Sequence, residues 1–160
     1  DRRRRKQAER KDKSIKHVFI SYCQENKNHV SKLVEALENA GVPVWWDDDI
    51  LGGRDWKAAI RDAIKNAFAV VICLSPELDA RCRSGMFPEL FDAIAIFREY
   101  GPGQSFLFPV RLAECKIPDI EIDATRTLER IQYIDLFPEI ERDAGLQKLL
   151  RSLANAPGQR

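Results

Sequence analysis

The run of residues 68–74 (FAVVICL) constrains the fold more than any other segment, because it is almost entirely apolar. A strand that is covered on both faces needs such a run, whereas a strand with one wet face alternates apolar and polar residues. Ser75 and Pro76 follow as a stop signal. The run therefore predicts the central strand of a sheet that is buried on both sides.

Strand-like runs and helical patterns alternate around this segment. Further strands are predicted at residues 17–22, 42–46, 106–112 and 131–134. Helices are predicted from Asn28 to a stop at Gly41, after a cap at Asp55, from Pro88 and from Ile140, with mostly loop between 113 and 130. Because parallel neighbours need long crossovers, this alternation predicts a flavodoxin-like α/β fold: a parallel sheet of about five strands with helices on both faces.

Size and charge divide the chain into a globular domain and a basic N-terminal segment. A chain of 160 residues with 44% hydrophobic residues suits one domain, which we place at residues 16–154 with a short tail at 155–160. Residues 1–16 carry a local net charge of +6, which leaves −5 for the rest. We expect residues 1–15 to be a solvated linker or tail; contact with nucleic acid or anionic lipid is the alternative for this segment, and no specific nucleic-acid binding is expected from the domain itself.

Several function classes are disfavoured by the composition. The four cysteines form no C-x-x-C pair and indicate reduced thiols of a cytoplasmic protein. Two histidines make a histidine-rich metal site or a histidine-dependent triad a weak hypothesis. No apolar run is long enough to span a membrane. The phosphate-binding glycine patterns of P-loop and dinucleotide folds are absent from the sequence.

The residues that follow the predicted strands are the pocket candidates, because ligands of open α/β sheets bind at the carboxyl ends of the strands. They are Cys23 and Gln24 after the first strand, residues 47–53 after the second, and residues 75–89 after the third, beginning with Ser75. Trp45 and Trp46 offer stacking surface beside the carboxylates of Asp47, Asp48 and Asp49. The alternative is that the tryptophans pack against helices and the aspartates are solvated. A three-aspartate metal site is disfavoured, since consecutive side chains point in different directions.

Glu89 is the second candidate for chemistry. It lies in the first turn of the helix predicted after Pro88, where the helix dipole favours its anionic form. Such a carboxylate can stabilise an oxocarbenium-like centre while an N-glycosidic bond breaks. The simpler reading is that acidic residues are common in the first helical turn for the dipole alone.

Several segments together resemble the Toll/interleukin-receptor (TIR) domain family, in the form of its bacterial members. Residues 17–22 (HVFISY) resemble the first signature box, and Trp45 to Asp47 followed by a glycine pair and Trp56 are similar to the second strand and the BB loop. The segments VVICLSP, FPVRL and QYIDL resemble the later strands. The resemblance extends over about residues 16 to 153.

The resemblance implies a flavodoxin-like domain that self-associates and, in many members, cleaves NAD+ at the nicotinamide–ribose bond. Glu89 matches the family's catalytic glutamate, and NAD+ is then a substrate with no further cofactor. The implied substrate-binding residues are Cys23, Gln24, Trp45, Asp47 and Gly52, and Trp46 and Ser75 join them as candidates from their own positions at the strand ends. The implied interaction loop contains Asp48, Asp49, Ile50, Leu51, Gly53, Arg54 and Trp56. This chain has Gly85 where catalytic members commonly carry tryptophan, which leaves Phe87, Trp45 or Trp46 to supply stacking surface.

Three hypotheses follow. The first is an NAD+-cleaving TIR domain, with ADP-ribose or a cyclic isomer as product and with self-assembly as its activator. The second is a non-catalytic interaction module that binds other TIR domains through residues 50–56. The third is a nucleoside-transferase-like enzyme with Glu89 as nucleophile.

Overall fold

The computed structural model describes residues 16–46, 53, 55–83, 95, 106–122 and 126–156. Five parallel strands form one sheet in the order β2-β1-β3-β4-β5. The strands are β1 His17–Ser21, β2 Val44–Trp45, β3 Ala67–Leu74, β4 Leu107–Arg111 and β5 Ile134–Asp135. This order and the flanking helices confirm the predicted flavodoxin-like α/β class.

The central strand is the one that the apolar run predicts. All eight residues of β3 are buried, and the strand pairs with β1 on one side and with β4 on the other. A strand in this position has helices over both faces, so no residue of it can be polar without a partner. The apolar run at residues 68–74 is therefore what a central strand of this sheet requires.

The described part of the chain contains α1 Lys27–Asn39, α2 Trp56–Lys65, α3 Pro76–Arg83 and α4 Arg142–Ala154. The predicted stop at Gly41 is confirmed: its φ of +86° lies in the left-handed region that glycine adopts freely. The predicted cap of α2 is confirmed as well, because the Ala58 amide donates to Asp55 Oδ1 at 3.3 Å.

Three predicted elements, β2, β5 and α4, differ from the observed bounds by two or more residues. Strand β2 is shorter than predicted because the Val42 amide donates to the Leu37 carbonyl oxygen, which ties Val42 to the end of α1. Strand β5 begins at Ile134 because residues 128–130 form a 3-10 turn that is closed by the Ile131 amide on Leu128. Helix α4 starts at Arg142, after a separate 3-10 turn at Glu139–Glu141.

Helix α3 is not among the predicted helices, because Ser75 and Pro76 predict only the end of a strand. Ser75 Oγ accepts a hydrogen bond from the Leu78 amide at 3.1 Å, and Pro76 occupies the first helical position. Serine before proline is a known way to begin a helix as well as to end a strand. The helix predicted from Pro88 lies outside the described residues.

Two apolar layers cover the sheet. We call them the α1–α4 layer, which includes Val30, Leu37 and Leu149, and the α2–α3 layer, which includes Ile60, Ile64 and Leu78. Helix α4 approaches β5 so closely at Gly145 that a Cβ there would collide with the Asp135 carbonyl oxygen. Among the described residues, no helix has the length and apolar character needed to cross a bilayer.

Candidate functional site

The two adjacent tryptophans lie in different layers. Trp46 is 5% exposed in the α1–α4 layer, where its ring lies 5.8 Å from that of Tyr22 and 5.9 Å from Lys27 Nζ. Trp45 packs on the α2–α3 layer, keeps part of its surface exposed, and stacks on Phe19 at 5.3 Å and 11°. Side chains alternate along a strand, so this separation follows from the strand itself.

Trp45 is held on a second side by His17, whose ring centroid lies 6.4 Å from that of the indole. His17 Nε2 lies 2.7 Å from the Ala63 carbonyl oxygen, an atom that can only accept, so Nε2 is the donor. The imidazole is thereby fixed between β1 and α2. Trp45 therefore contacts two oriented rings and still keeps part of its residue surface exposed.

Three further predicted substrate-binding residues have defined positions. Cys23 is fully buried in the α2–α3 layer, and Ser75 is 2% exposed beneath the start of α3. Gln24 is exposed in the 3-10 turn Gln24–Asn26. Of these three side chains, Gln24 is the one that solvent reaches in this structure.

A polar network joins the loop after β1 to the start of α3. Ser75 Oγ donates to Asn26 Oδ1 at 2.7 Å, and Asn26 Nδ2 donates to Glu77 Oε2 at 3.4 Å. Arg81 forms an ion pair with Glu25 at 2.7 Å. In the order β2-β1-β3, successive strands are added on opposite sides of β1, so the network lies at the crevice between β1 and β3 where α/β ligands bind.

Both carboxylates of this network are stabilised as anions. A hydrogen bond from its own backbone amide lowers the pKa of Glu77, and Asn26 lowers it further. The pKa of Glu25 is lowered by its backbone amide first and by the Arg81 hydrogen bond second. Asn26 and Glu77 were not singled out from the sequence; a serine cap followed by an acidic residue in S-P-E was the signal available for Glu77.

The buried thiols suit a structural role. Burial, together with a smaller contribution from the nearby Cys23, raises the pKa of Cys73 to about 12. Burial also raises the pKa of the half-buried Cys115. Because the thiolate is the nucleophile, neither Cys73 nor Cys115 is an activated thiol at neutral pH.

A second rigid cluster lies at the carboxyl ends of β4 and β5. Arg111 binds Asp135 with two hydrogen bonds, at 2.6 and 2.9 Å, and its guanidinium lies 4.9 Å from the ring of Tyr133 and 5.1 Å from that of Phe137. It also donates to the Cys115 carbonyl oxygen. The Asp135 hydrogen bonds raise the pKa of Arg111, so this cation is permanent.

Most residues of the predicted interaction loop, and the predicted catalytic residue, lie outside the residues that the structure describes. Glu89 lies outside the described residues, as do Asp47, Asp48, Asp49, Ile50, Leu51, Gly52 and Arg54. Trp56 begins α2, but its side chain is not described. Gly53 is exposed with a φ of +80°. In the segments that the structure describes, no three His, Cys, Asp or Glu side chains are grouped as metal ligands.

The sheet order and the crevice between β1 and β3 define the class first: a flavodoxin-like α/β domain whose parallel strands β1, β2 and β3 end at one edge of the sheet. The family model described as "TIR domain" matches residues 18–150. The chain therefore belongs to the TIR domain family.

Solved structures of other TIR proteins share this fold. The TIR domain of the Toll-related receptor TRR-2 from Hydra magnipapillata is 21% identical, with 86% of this chain and 98% of that one covered and a TM-score of 0.63. A TIR-STING receptor from C. gigas in complex with 2',3'-cGAMP is 21% identical over 91% of this chain and 41% of the receptor, with a TM-score of 0.64. The TIR domains of the activated Roq1 resistosome are 16% identical over 87% of this chain and 99% of that one, with a TM-score of 0.62. The comparison with curated proteins found no match.

Proposed function

We propose that this domain cleaves NAD+ at the bond between nicotinamide and ribose, with ADP-ribose or a cyclic isomer as product. Membership of the TIR family supports this proposal, and so does the crevice at the carboxyl ends of β1 and β3. We propose further that self-assembly activates the domain, because a pocket built from loops can be completed by a neighbouring subunit.

The observation that carries the proposal is the support of Trp45. Its indole rests on Phe19, is flanked by the fixed imidazole of His17, and still has exposed surface. A flat ring that is held in this way loses little entropy when another ring stacks on it, and stacking of bases on aromatic side chains contributes about 1–3 kcal/mol each. Nicotinamide is the ring that we assign to this surface.

Glu89 is the residue that we propose for bond cleavage. As the C–N bond to nicotinamide breaks, positive charge develops on the ribose, and an ionised carboxylate beside it stabilises that charge. Nicotinamide leaves with the bonding electrons. Water then attacks the anomeric carbon and loses a proton, which gives ADP-ribose; attack by an adenine nitrogen of the same molecule gives the cyclic product instead.

The test is nicotinamide release from NAD+, measured on the purified chain at dilute and at crowded protein concentration. We expect wild type to be active under crowding, and Glu89→Ala and Glu89→Gln to lose at least about a hundredfold in rate. Glu35→Ala is the matched control, since Glu35 is exposed on α1 and should leave the rate unchanged. Equal inactivity of wild type and Glu89→Ala in the assembled state would overturn the proposal. A stable ribose adduct on Glu89 in mass spectra would favour the nucleoside-transferase alternative.

A non-catalytic TIR–TIR interaction module is the second candidate, and Gly53 favours it. This residue is exposed, and a Cβ built on it meets no atom within 4 Å, although any side chain is strained at its φ of +80°. Gly53→Trp should therefore block an interface at this loop, and the backbone strain it adds is matched in the control. Gly41→Trp is the matched control, because Gly41 also has a positive φ and open space. Equal self-association of both variants and wild type by size-exclusion chromatography would contradict a loop interface. The cytoplasmic location stays a prediction.

A further inference from the structure

A cavity of about 240 Å³ opens on the α1–α4 side of the sheet, whereas Trp45 packs in the α2–α3 layer. Its apolar floor is made by Leu33, Leu112 and Leu136, all buried members of the α1–α4 layer. Leu112 follows β4 and Leu136 follows β5, so the cavity lies at the carboxyl ends of these two strands, beside α1. It is separate from the crevice between β1 and β3.

The rim of the cavity is basic. His29 and Lys32 come from α1, and Arg142 is the first residue of α4. Glu139 is the one acidic side chain among the lining residues. In the described part of the chain, neither Lys32 nor Arg142 has a carboxylate within ion-pair distance, although the body of the domain carries a net charge of −5. Among the described residues, the rim therefore carries the two cations Lys32 and Arg142 against the single carboxylate of Glu139.

One wall is aromatic and held in place. Phe137 lines the cavity, and its ring also lies 5.1 Å from the Arg111 guanidinium. Arg111 is fixed in turn by its two hydrogen bonds to Asp135. An aromatic wall that is immobilised before binding reduces the entropy that a ligand loses on binding.

We propose that this cavity binds a small organic anion that consists of one aromatic ring and one phosphate or carboxylate group. The volume is below the roughly 300–1,000 Å³ of pockets for drug-sized ligands, which limits the guest to a single ring with one substituent. The ring lies on the leucine floor against Phe137, and the anionic group binds Lys32 and Arg142. This site does not depend on the NAD+ cleavage proposed above.

Isothermal titration of the full chain tests the ligand class. Phenyl phosphate and benzoate are the two anionic probes, and phenol and inorganic phosphate each supply half of the phenyl phosphate structure. We expect phenyl phosphate or benzoate to bind at least about tenfold more tightly than phenol and inorganic phosphate. The stronger of the two anionic probes identifies the preferred group. Equal affinity for phenol would overturn the role of the cations, and equal affinity for inorganic phosphate would reduce the site to an adventitious ion only.

Paired variants locate the site. Lys32→Ala/Arg142→Ala should weaken phenyl phosphate or benzoate binding at least about tenfold. The control Lys65→Ala/Arg151→Ala removes the same charge from exposed positions outside the cavity and should bind as wild type does. If the first pair is not folded by circular dichroism, Lys32→Ala alone is used, because Lys32 is exposed. Wild-type affinity in the cavity variant, or equal weakening in both pairs, would overturn the proposal.

Discussion

Trp45 and Trp46 are adjacent in sequence and differ in almost every structural respect. Trp46 is buried within the α1–α4 layer beside Tyr22, whereas Trp45 stacks on Phe19 and keeps part of its surface exposed. The sequence presents them as one aromatic pair. The strand separates them, because successive side chains point to opposite faces. Their difference shows that neighbouring residues of one motif can divide between full burial and partial exposure, and the partly exposed member is the one that we propose stacks on NAD+.

The largest effect is expected when the buried tryptophan, Trp46, is truncated. Trp46→Ala should lower the free energy of unfolding by about 3–5 kcal/mol, because it leaves a large cavity in the α1–α4 layer. Urea denaturation followed by circular dichroism measures the loss. Trp46→Phe is the control and should cost less, since it keeps most of the apolar volume. A loss below about 1 kcal/mol would show that Trp46 is not a core residue.

The α1–α4 layer can also be disturbed from its helix. Gly145→Ala places a methyl group against the Asp135 carbonyl oxygen, which belongs to backbone and cannot move aside cheaply. We expect a loss of about 1–3 kcal/mol, the range for overpacking a close contact. Lys148→Ala on the exposed side of α4 is the control. Equal thermal unfolding of the two variants would contradict the close approach of α4 to β5.

Trp45→Ala sharpens the comparison from the other side. Its stability loss should be smaller than that of Trp46→Ala, about 1–2 kcal/mol, because Trp45 already keeps exposed surface. NAD+ cleavage should fall at least about tenfold through loss of stacking, and Trp45→Phe should recover part of it. Unfolding and nicotinamide release are measured on the same samples. A variant that cleaves NAD+ as wild type does would remove Trp45 from the proposed site.

The smallest effect is expected at the polar network between the loop after β1 and the start of α3. The pKa of Glu77 is lower in the folded protein than in the unfolded chain, so its carboxylate stabilises the fold at pH values above the unfolded pKa. That stability is lost as pH falls through the folded pKa. Glu77→Gln should therefore be less stable than wild type at pH 7, and the gap should close in acid. Glu35→Gln is the exposed control, and a gap that does not change with pH would contradict the assignment.

Elements of the fold could be predicted where the sequence pattern is compatible with a single local structure. Residues 68–74 predicted a doubly buried strand, and Asp55 and Gly41 predicted the start of one helix and the end of another. Ser75-Pro76 had two meanings, since it ends β3 and also begins α3. The contacts of Asn26 with Ser75 and Glu77 join positions about fifty residues apart, and no local pattern reports such a contact.

The sheet tapers from its centre to its margins. Strand β3 has eight residues, whereas β2 and β5, the two outermost strands, have two each. A margin of this length presents few free backbone amides and carbonyls, so another chain gains little by adding a strand to it. At the described edges of the sheet, the self-association proposed above would therefore rest on side chains rather than on a continuous backbone ladder.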